Sequence, residues 1–218
     1  MAAPVGVLGG TFDPVHHGHL RSALELVEVL SLERLHLMPC AQPPHRERPA
    51  CAAEHRAAMV ELAVAREPRL LCDRRELRRD GPSYSIDSVT GLRGELGPER
   101  ALYLILGYDA LLKLDTWHRW LELLEVAHVV VIARPGSVLP SSGAVAQWLS
   151  AHRVTAATAL CRRPAGSVLV QALRPLDIAS TEIRAQLVTG RSPRYLLPEP
   201  VLDYIEEHKL YLREDTAA

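Results

Sequence analysis

The sequence predicts an α/β fold in which a doubly wound parallel sheet of five or six strands carries helices on both faces. Short runs of β-branched and aliphatic residues, too short for helices, alternate with segments whose apolar residues recur at helical spacing. Such uninterrupted apolar runs are typical of parallel strands that are buried on both sides. With 218 residues, 48% of them apolar and 23% charged, the chain is long enough to bury a substantial core.

The predicted elements follow one another along the chain without a recognisable linker. Strands are predicted at residues 5–8, 34–38, 69–73, 101–106, 129–133 and 167–172. Helices are predicted at residues 20–30, 53–67, 86–96, 117–124, 144–151, 180–187 and 201–208. We therefore expect a single domain over residues 1–218, of which residues 176–218 form a small C-terminal helical extension.

Composition and charge narrow the class of protein. The formal net charge is −1, which gives no sign of nucleic-acid binding. The four cysteines are widely spread and form no C-x-x-C pair, so neither a zinc ribbon nor a disulfide framework is indicated. The first residues carry no signal-peptide pattern, and no apolar run is long enough to span a bilayer. We expect a cytoplasmic protein without membrane or nucleic-acid partners, and a homo-oligomer is compatible with the sequence.

The most informative segment has the sequence GGTFDPVHHGH and spans residues 9–19, between the first predicted strand and the first predicted helix. In open α/β sheets, ligands bind where a strand ends and the next helix begins. Gly9 and Gly10 let the backbone turn sharply and approach a bound group closely. His16 and His19 flank Gly18 at the helix start, where backbone N–H groups and the helix dipole favour an anion. The segment is therefore a candidate phosphate-binding loop.

Other interpretations of this segment have weaker support. It lacks the Gly-x-x-x-x-Gly-Lys-Ser/Thr pattern of a Walker loop, and the chain contains no Gly-x-Gly of a dinucleotide fingerprint. A zinc site at His16, His17 and His19 has no cysteine or carboxylate at ligand spacing nearby. A turn with incidental surface histidines is the remaining alternative. Phe12, the only phenylalanine of the chain, is predicted to lie in the loop instead of the core.

Further candidate binding groups follow predicted strands. Arg46, in the loop PPHR at residues 43–46, offers a planar fork for phosphate, although a solvated surface loop would look the same. Asp109 follows the central strand and can accept hydrogen bonds from ribose hydroxyls. Trp117 can stack on an electron-poor ring, whereas Trp120 lies at helical spacing and is typical of a core residue.

Two helix starts add hydroxyl groups. The segment SYS at residues 83–85 could be no more than a helix start with Ser85 as its N-cap. Ser180 and Thr181 begin a predicted capped helix, and Arg184 lies one turn into it. Capping explains the two hydroxyls but not the arginine, and an anion bound there would meet N–H groups, hydroxyls and a guanidinium.

Together these segments resemble a known family. The HxGH pattern at residues 16–19, after the glycine turn, is similar to the phosphate-binding signature of the nucleotidyltransferase superfamily, for which a Rossmann-like sheet is expected. The longer string resembles bacterial nicotinate-nucleotide adenylyltransferases, and the later segments resemble the family's motifs in the same order from about residue 5 to 212. Two positions depart from the family pattern, since Ser85 replaces the usual threonine and Ala179 replaces a serine.

The resemblance implies a role for each matching residue. The catalytic residues would be His16 and His19. ATP and its phosphates would be bound by Gly9, Gly10, Thr11, Phe12, Gly18, Arg46, Gly107, Asp109, Arg134, Ser180, Thr181 and Arg184. The pyridine nucleotide would be bound by Tyr84, Ser85, Trp117 and His118. No dedicated protein metal site is implied, and Mg²⁺ would be carried in on the ATP phosphates.

The activity that the resemblance implies is transfer of an adenylyl group from ATP to nicotinate mononucleotide. The products would be nicotinate adenine dinucleotide and pyrophosphate, in NAD biosynthesis. Direct in-line attack fits a chain with several anion sites and no obvious covalent nucleophile. Open alternatives are a related transferase with dual or nicotinamide-mononucleotide specificity, one that uses phosphopantetheine, and a nucleotide sensor without catalysis. A class I aminoacyl-tRNA synthetase is disfavoured because the chain has no Lys-Met-Ser-Lys-Ser-like loop.

Overall fold

A computed structural model of the chain describes residues 2–42, 49–133 and 136–212. Its strands are β1 (Val5–Gly10), β2 (Arg34–Pro39), β3 (Leu70–Cys72), β4 (Leu102–Gly107), β5 (His128–Ala133), β6 (Arg153–Val154) and β7 (Val168–Ala172). All pair in parallel, in the order β3-β2-β1-β4-β5-β7-β6. The described part of the sheet thus has seven strands instead of five or six, because β6 is only two residues long and gives no periodic signal.

The helices alternate with the strands. They are α1 (His17–Val29), α2 (Ala53–Val64), α3 (Ser85–Leu96), α4 (Tyr108–Leu111), α5 (Leu123–Val126), α6 (Ala144–His152), α7 (Ala157–Leu160), α8 (Ser180–Val188) and α9 (Glu199–Glu207). Short 3₁₀ helices lie at Arg75–Arg78, Leu114–Thr116 and Trp120–Glu122. None of the helices in the described ranges combines the length and the apolar character needed to cross a membrane.

The chain begins in the middle of the sheet. β1 pairs with β2 on one side and with β4 on the other, so that Val5 lies between Arg34 and Leu102. The direction in which strands are added therefore reverses between β1 and β4. In such sheets the crevice beyond the carboxyl ends of the two strands is the usual ligand site. Gly10 ends β1 and Gly107 ends β4 at this edge.

The two faces of the sheet bury separate apolar clusters. Along β4, Tyr103 and Ile105 belong to one cluster, whereas Leu104 and Leu106 belong to the other. The first cluster includes side chains of α1, α2, α8 and α9, and the second includes side chains of α3, α4, α5 and α6. Helices therefore cover both faces, which confirms the predicted doubly wound α/β fold.

The predicted continuous helix at residues 117–124 is wrong. The chain instead forms short helical turns between β4 and β5, and Trp117 has extended dihedral angles. Arg119 has a φ of 52°, in the left-handed region, which cannot continue an α-helix. The apolar spacing of this segment does not mark one buried face, since Leu121 is exposed, and the backbone reversal at Arg119 has no signal in the residue type.

The C-terminal helical part packs against the sheet domain. Val201 and Ile205 of α9 are buried in the same cluster as Met59 of α2. The hydroxyl of Tyr204 lies 2.9 Å from Nδ1 of His55, which adds a polar contact between these helices. Helix α9 is thereby fixed against α2.

The core is closely packed around Gly6 in β1. A Cβ at Gly6 would lie 2.8 Å from side-chain carbons of Leu32 and Leu35, both buried. Gly6→Ala should lower the free energy of unfolding by about 1–3 kcal/mol through overpacking. The matched control is Gly94→Ala in α3, where a Cβ meets nothing within 4 Å. It should raise the free energy of unfolding by roughly 0.5–1 kcal/mol. Equal urea midpoints for the two variants would contradict this packing account.

Candidate active site

The loop at residues 9–19 places two imidazoles at the start of α1. His16 is the N-cap residue, and its Nδ1 accepts a hydrogen bond from the backbone N–H of His19 at 3.4 Å. The His16 proton is therefore on Nε2 when the ring is neutral. A Cβ at Gly18 would lie 3.0 Å from the His16 ring, so glycine is needed for this ring position.

The two imidazoles stack on each other and are both neutral at neutral pH. Their ring centroids are 3.7 Å apart. Burial, with a smaller contribution from the charge of His17, lowers the pKa of His16 to about 4. Burial, with a smaller contribution from His16, lowers the pKa of His19 to about 3. Nδ1 of His19 is buried without a hydrogen-bond partner among the described residues. Each ring can therefore donate an N–H without carrying a charge.

Phe12 corrects a prediction. Its backbone lies in the loop, with a φ of 49°, but its side chain is buried in the core instead of being exposed. The ring meets the edge of His19 at a centroid distance of 5.1 Å. A Cβ at Gly10 would lie 2.9 Å from the Phe12 ring. The Phe12 ring thus packs against His19. The absence of a side chain at Gly10 leaves space for the Phe12 ring.

A first cavity, of about 690 Å³, opens beside His19, and we call it the histidine pocket. Its volume lies in the range of small-ligand sites. It brings together eight of the predicted phosphate-binding or catalytic residues: Gly9, Gly10, Thr11, Phe12, His19, Ser180, Thr181 and Arg184. Leu8, Asp13, Pro49 and Ala50 complete the lining. His16 and Gly18 do not line it. His16 stacks on His19, which does line it.

The start of α8 is tied to the loop and not capped as predicted. The N-cap position is Ala179, which has no side-chain capping hydrogen bond. The Ser180 hydroxyl instead donates to the carbonyl oxygen of Pro14 at 3.0 Å. Nη1 of Arg184 donates to the carbonyl oxygen of Asp13 at 2.6 Å. These bonds hold the α8 residues at the wall of the histidine pocket.

Asp13 is a site residue that the sequence analysis missed. Its side chain is buried, although it lies in the loop and lines the histidine pocket. Oδ1 accepts from the Tyr211 hydroxyl at 2.7 Å, and Oδ2 accepts from the Ala50 N–H at 2.8 Å. An aspartate before a proline is a common turn residue, so its type alone gives no sign of these distant partners.

Arg56 is the second missed residue. Its side chain is buried, and it donates to the carbonyl oxygens of Thr11 at 2.6 Å, Cys40 at 2.7 Å and Cys51 at 3.1 Å. The signal that could have found it is its position on the apolar face of α2, where a charged residue is unexpected. Arg56 fixes the loop after β1 against the loop after β2.

A second cavity, of about 220 Å³, lies on the other side of the glycine turn, and we call it the tryptophan pocket. Among predicted residues it is lined by Gly9, Gly10, Thr11, Tyr84, Ser85, Asp109, Trp117 and His118. Asp109, predicted to bind ATP, lines this cavity and not the histidine pocket. The unpredicted lining residues are Cys40, Glu76, Ser83, Leu104, Leu106, Ala110 and Lys113. A cavity of about 150 Å³ accepts a benzene ring, so this one can hold a single aromatic ring with a substituent.

Hydrogen bonds between loops form the wall of the tryptophan pocket. The Ser83 hydroxyl accepts from the backbone N–H groups of Ala41 at 3.1 Å and Gln42 at 3.2 Å. The Ser88 hydroxyl donates to Oε1 of Glu76 at 2.7 Å, and burial raises the pKa of Glu76. Ser85 is the first residue of α3 and not its N-cap, which leaves its hydroxyl at the pocket.

The ring and charge pattern of the tryptophan pocket suits a polar aromatic ligand. The rings of Tyr84 and His118 lie 4.4 Å apart beside Trp117. Glu76 and Asp109 are carboxylates of the lining, and Lys113 is its one lysine or arginine within the described ranges. No sequence motif predicts Lys113 as a site residue, because the short turns after β4 bring it to the pocket.

Some predicted residues are not brought together. Gly107 ends β4 at the correct edge but lines neither cavity. Arg46 and Arg134 lie outside the described residues. Within the described ranges, no group of three or more His, Cys, Asp and Glu side chains is arranged to hold a metal ion.

Comparison with known proteins adds to this geometry. Residues 7–186 match the family model described as cytidylyltransferase-like. The chain is 49% identical over 207 residues to a protein of Pseudomonas putida named probable nicotinate-nucleotide adenylyltransferase, covering 95% of this chain and 94% of that protein. It is 47% identical over 211 residues to an Aeromonas salmonicida protein of the same name, covering 97% of this chain and 98% of the relative.

A solved structure supports the fold. The nicotinic acid mononucleotide adenylyltransferase of Plasmodium falciparum, in a complex with NaAD, superposes with a TM-score of 0.70. The alignment covers 96% of this chain and 98% of that one at 15% sequence identity. A second structure of that protein, complexed with APC, gives a TM-score of 0.67 with the same coverage and identity. The Rossmann-like arrangement is thus shared by proteins whose sequences have diverged widely.

The depressed histidine pKa values predict a pH dependence of stability. His16 stays neutral when folded and takes up a proton when unfolded, so its contribution to stability is complete above about pH 6.5 and is lost as pH falls toward about 4. Between pH 7 and pH 5, His16 should account for a loss of about 2 kcal/mol in the free energy of unfolding. Denaturant unfolding of His16→Gln should show a correspondingly weaker pH dependence.

The exposed His152 provides the control for this experiment. His152→Gln should keep the wild-type pH dependence, because it leaves the stacked His16–His19 pair intact. If His16→Gln and the wild type lose stability in parallel between pH 7 and pH 5, the buried, neutral state of His16 is wrong.

Proposed function

The chain belongs to the cytidylyltransferase-like family and, within it, to the nicotinate-nucleotide adenylyltransferases; from this membership we propose the reaction that it catalyses. The enzyme transfers an adenylyl group from ATP to nicotinate mononucleotide. The products are nicotinate adenine dinucleotide and pyrophosphate, in a step of NAD biosynthesis. We place the enzyme in the cytoplasm and regard residues 1–218 as one domain.

The observation that carries this proposal is the shared wall of the two pockets. Gly9, Gly10 and Thr11 line both the histidine pocket and the tryptophan pocket. Two ligands bound side by side would therefore meet across a glycine turn that lets the backbone approach both of them. A transferase needs this arrangement, because its two substrates must present their reacting atoms to each other.

In the proposed complex the histidine pocket holds the ATP phosphates. His19 donates an N–H to a phosphate oxygen, and His16 orients His19 through the ring stack. Arg184, with the hydroxyls of Ser180 and Thr181, binds further phosphate oxygens at the start of α8. We retain Arg46 and Arg134 as proposed phosphate ligands on the basis of the sequence alone.

The tryptophan pocket holds the pyridine nucleotide. Trp117 stacks on the positively charged pyridinium ring, an attraction of cation–π type. Ser85 and Tyr84, at the start of α3, bind the ring substituent, and His118 closes the pocket beside Tyr84. Asp109 accepts hydrogen bonds from ribose hydroxyls.

Positioning and charge stabilisation then account for the chemistry. An oxygen of the mononucleotide 5′-phosphate attacks the α-phosphorus of ATP in line, and the bond from that phosphorus to the oxygen bridging to the β-phosphate breaks. His19 stabilises charge that develops on the transferred group. Mg²⁺ carried in with ATP would neutralise charge on the leaving pyrophosphate. The pocket fits that role, because its hydroxyls suit a hydrated ion and its one described carboxylate, Asp13, already has protein partners.

Substrate preference is the first prediction of this proposal. Pyrophosphate release should require ATP and Mg²⁺, and nicotinate mononucleotide should exceed nicotinamide mononucleotide in kcat/KM by roughly tenfold or more, which needs only about 1.4 kcal/mol of differential contact. Equal use of both acceptors would make the enzyme dual-specific. Turnover of neither would favour another acceptor such as phosphopantetheine, or a nucleotide sensor.

His19 tests the catalytic assignment. His19→Ala removes the N–H donor at the wall of the histidine pocket and should lower kcat on the order of a hundredfold or more, while the protein stays folded. His17→Ala is the matched control, because His17 is adjacent in the sequence but lines neither cavity. Unchanged turnover of His19→Ala, or an equal loss in both variants, would rule out the proposed role of the loop.

A further inference from the structure

The carboxylate of Asp13 is placed where a negative charge is costly. It lies in the wall of the histidine pocket, which the proposed function fills with ATP phosphates, and its side chain is only 6% exposed. A buried carboxylate is tolerated only when its oxygens accept hydrogen bonds or pair with a cation. The hydrogen-bond partners of Asp13 therefore determine which groups its carboxylate oxygens contact within the pocket.

Each oxygen of Asp13 has its own partner. Oδ2 accepts from the Ala50 N–H at 2.8 Å and lies 3.8 Å from Nη1 of Arg184. Oδ1 accepts from the Tyr211 hydroxyl at 2.7 Å. The Arg184 contact is too long for a hydrogen bond to the carboxylate, and the same nitrogen instead donates to the Asp13 carbonyl oxygen at 2.6 Å. Arg184 thus lies at the pocket without forming a bidentate pair with Asp13.

Tyr211 is brought to the loop by the C-terminal helix. Val201 and Ile205 of α9 are buried against the sheet domain, and Leu210 N–H donates to the carbonyl oxygen of Ile205 at 2.9 Å. Lys209 and Tyr211 both have φ in the left-handed region, at 50° and 61°, so the chain turns sharply after the helix. This turn directs the Tyr211 ring back toward residue 13, which is 198 positions away in the sequence.

Loss of the Tyr211 hydroxyl would change the pairing within the pocket. Oδ1 of Asp13 would be left buried without its donor, which is unfavourable for a carboxylate oxygen. Arg184 is the cation within 4 Å, and a small rotation of the carboxylate would bring the two into a charge-assisted hydrogen bond. Arg184 would then be bound to Asp13 instead of to a phosphate.

We propose that Tyr211 is a positioning residue of the phosphate site: its hydroxyl holds the Asp13 carboxylate away from Arg184, so that the guanidinium is available to a polyphosphate. The segment that follows α9 thereby contributes to ATP binding without touching the ligand. This inference rests on the proposed function, since ATP is taken as the ligand of the histidine pocket.

Tyr204 provides a matched control for Tyr211. Its hydroxyl also joins the C-terminal part to the sheet, at 2.9 Å from Nδ1 of His55, so this hydrogen bond goes to α2 and not to the loop at residues 9–19. Tyr211→Phe and Tyr204→Phe each remove one hydroxyl from a partly buried tyrosine. A purely structural role predicts similar changes in Tm for both variants and no selective change in ligand affinity.

The test is ATP binding by calorimetry with Mg²⁺ and without an acceptor, on the full chain. Tyr211→Phe should weaken ATP binding roughly ten- to a hundredfold, the effect of one hydrogen bond to a charged group. Tyr204→Phe should bind ATP like the wild type. KM for nicotinate mononucleotide should be unchanged in both variants, because the tryptophan pocket does not include residue 13.

A double-mutant cycle tests whether Tyr211 acts through Asp13. Asp13→Asn removes the charge that would capture Arg184, so adding Tyr211→Phe to it should cause less than a twofold further loss of ATP affinity. Additive losses, or wild-type ATP affinity in Tyr211→Phe, would overturn the inference. If the wild type binds ATP but releases no pyrophosphate with any acceptor, the proposed reaction is wrong while the binding test of Tyr211 still applies. If it does not bind ATP, both proposals are wrong.

Discussion

The geometry of the site depends on the buried guanidinium of Arg56. A full positive charge in the interior is tolerated only when its N–H groups are satisfied, and here the carbonyl oxygens of Thr11, Cys40 and Cys51 accept from it. The segments after β1, after β2 and before α2 are thereby fixed at one edge of the sheet. Because both pockets meet along the glycine turn next to Thr11, their relative position follows from this one side chain.

Among the described residues, the histidine pocket offers an anion neutral N–H and O–H donors and one positively charged side chain. The whole chain has a formal net charge of −1, and Arg184 is the one lysine or arginine among the described residues that line the histidine pocket. Burial keeps His16 and His19 neutral, so they donate N–H groups without adding charge. Such neutral donors can stabilise charge that develops on the transferred group.

Local patterns predicted the parts of the fold and site that depend on local chemistry. The apolar runs of β1 and β4 and the donors at the start of α1 follow from residue types at fixed spacing, and the switch point between these strands then places the site. The errors concern long-range contacts and single dihedral angles. Phe12 is buried because the loop folds over the core, and the helix at residues 117–124 fails at the left-handed Arg119. The partners of Asp13 and Arg56 lie on distant segments, and no local spacing encodes them.

The wall of the histidine pocket combines residues from an early and a late segment of the chain. Residues 9–13 and 180–184 line it together, and the Tyr211 hydroxyl holds Asp13 from behind. Bringing residues 9–13 and 180–184 together costs chain entropy. The packed sheet and the buried face of α9 offset this cost. The site therefore exists only in the fully assembled domain, and a ligand that binds it stabilises the C-terminal helices together with the sheet. On this view the C-terminal helical part belongs to the binding wall as much as the glycine turn does.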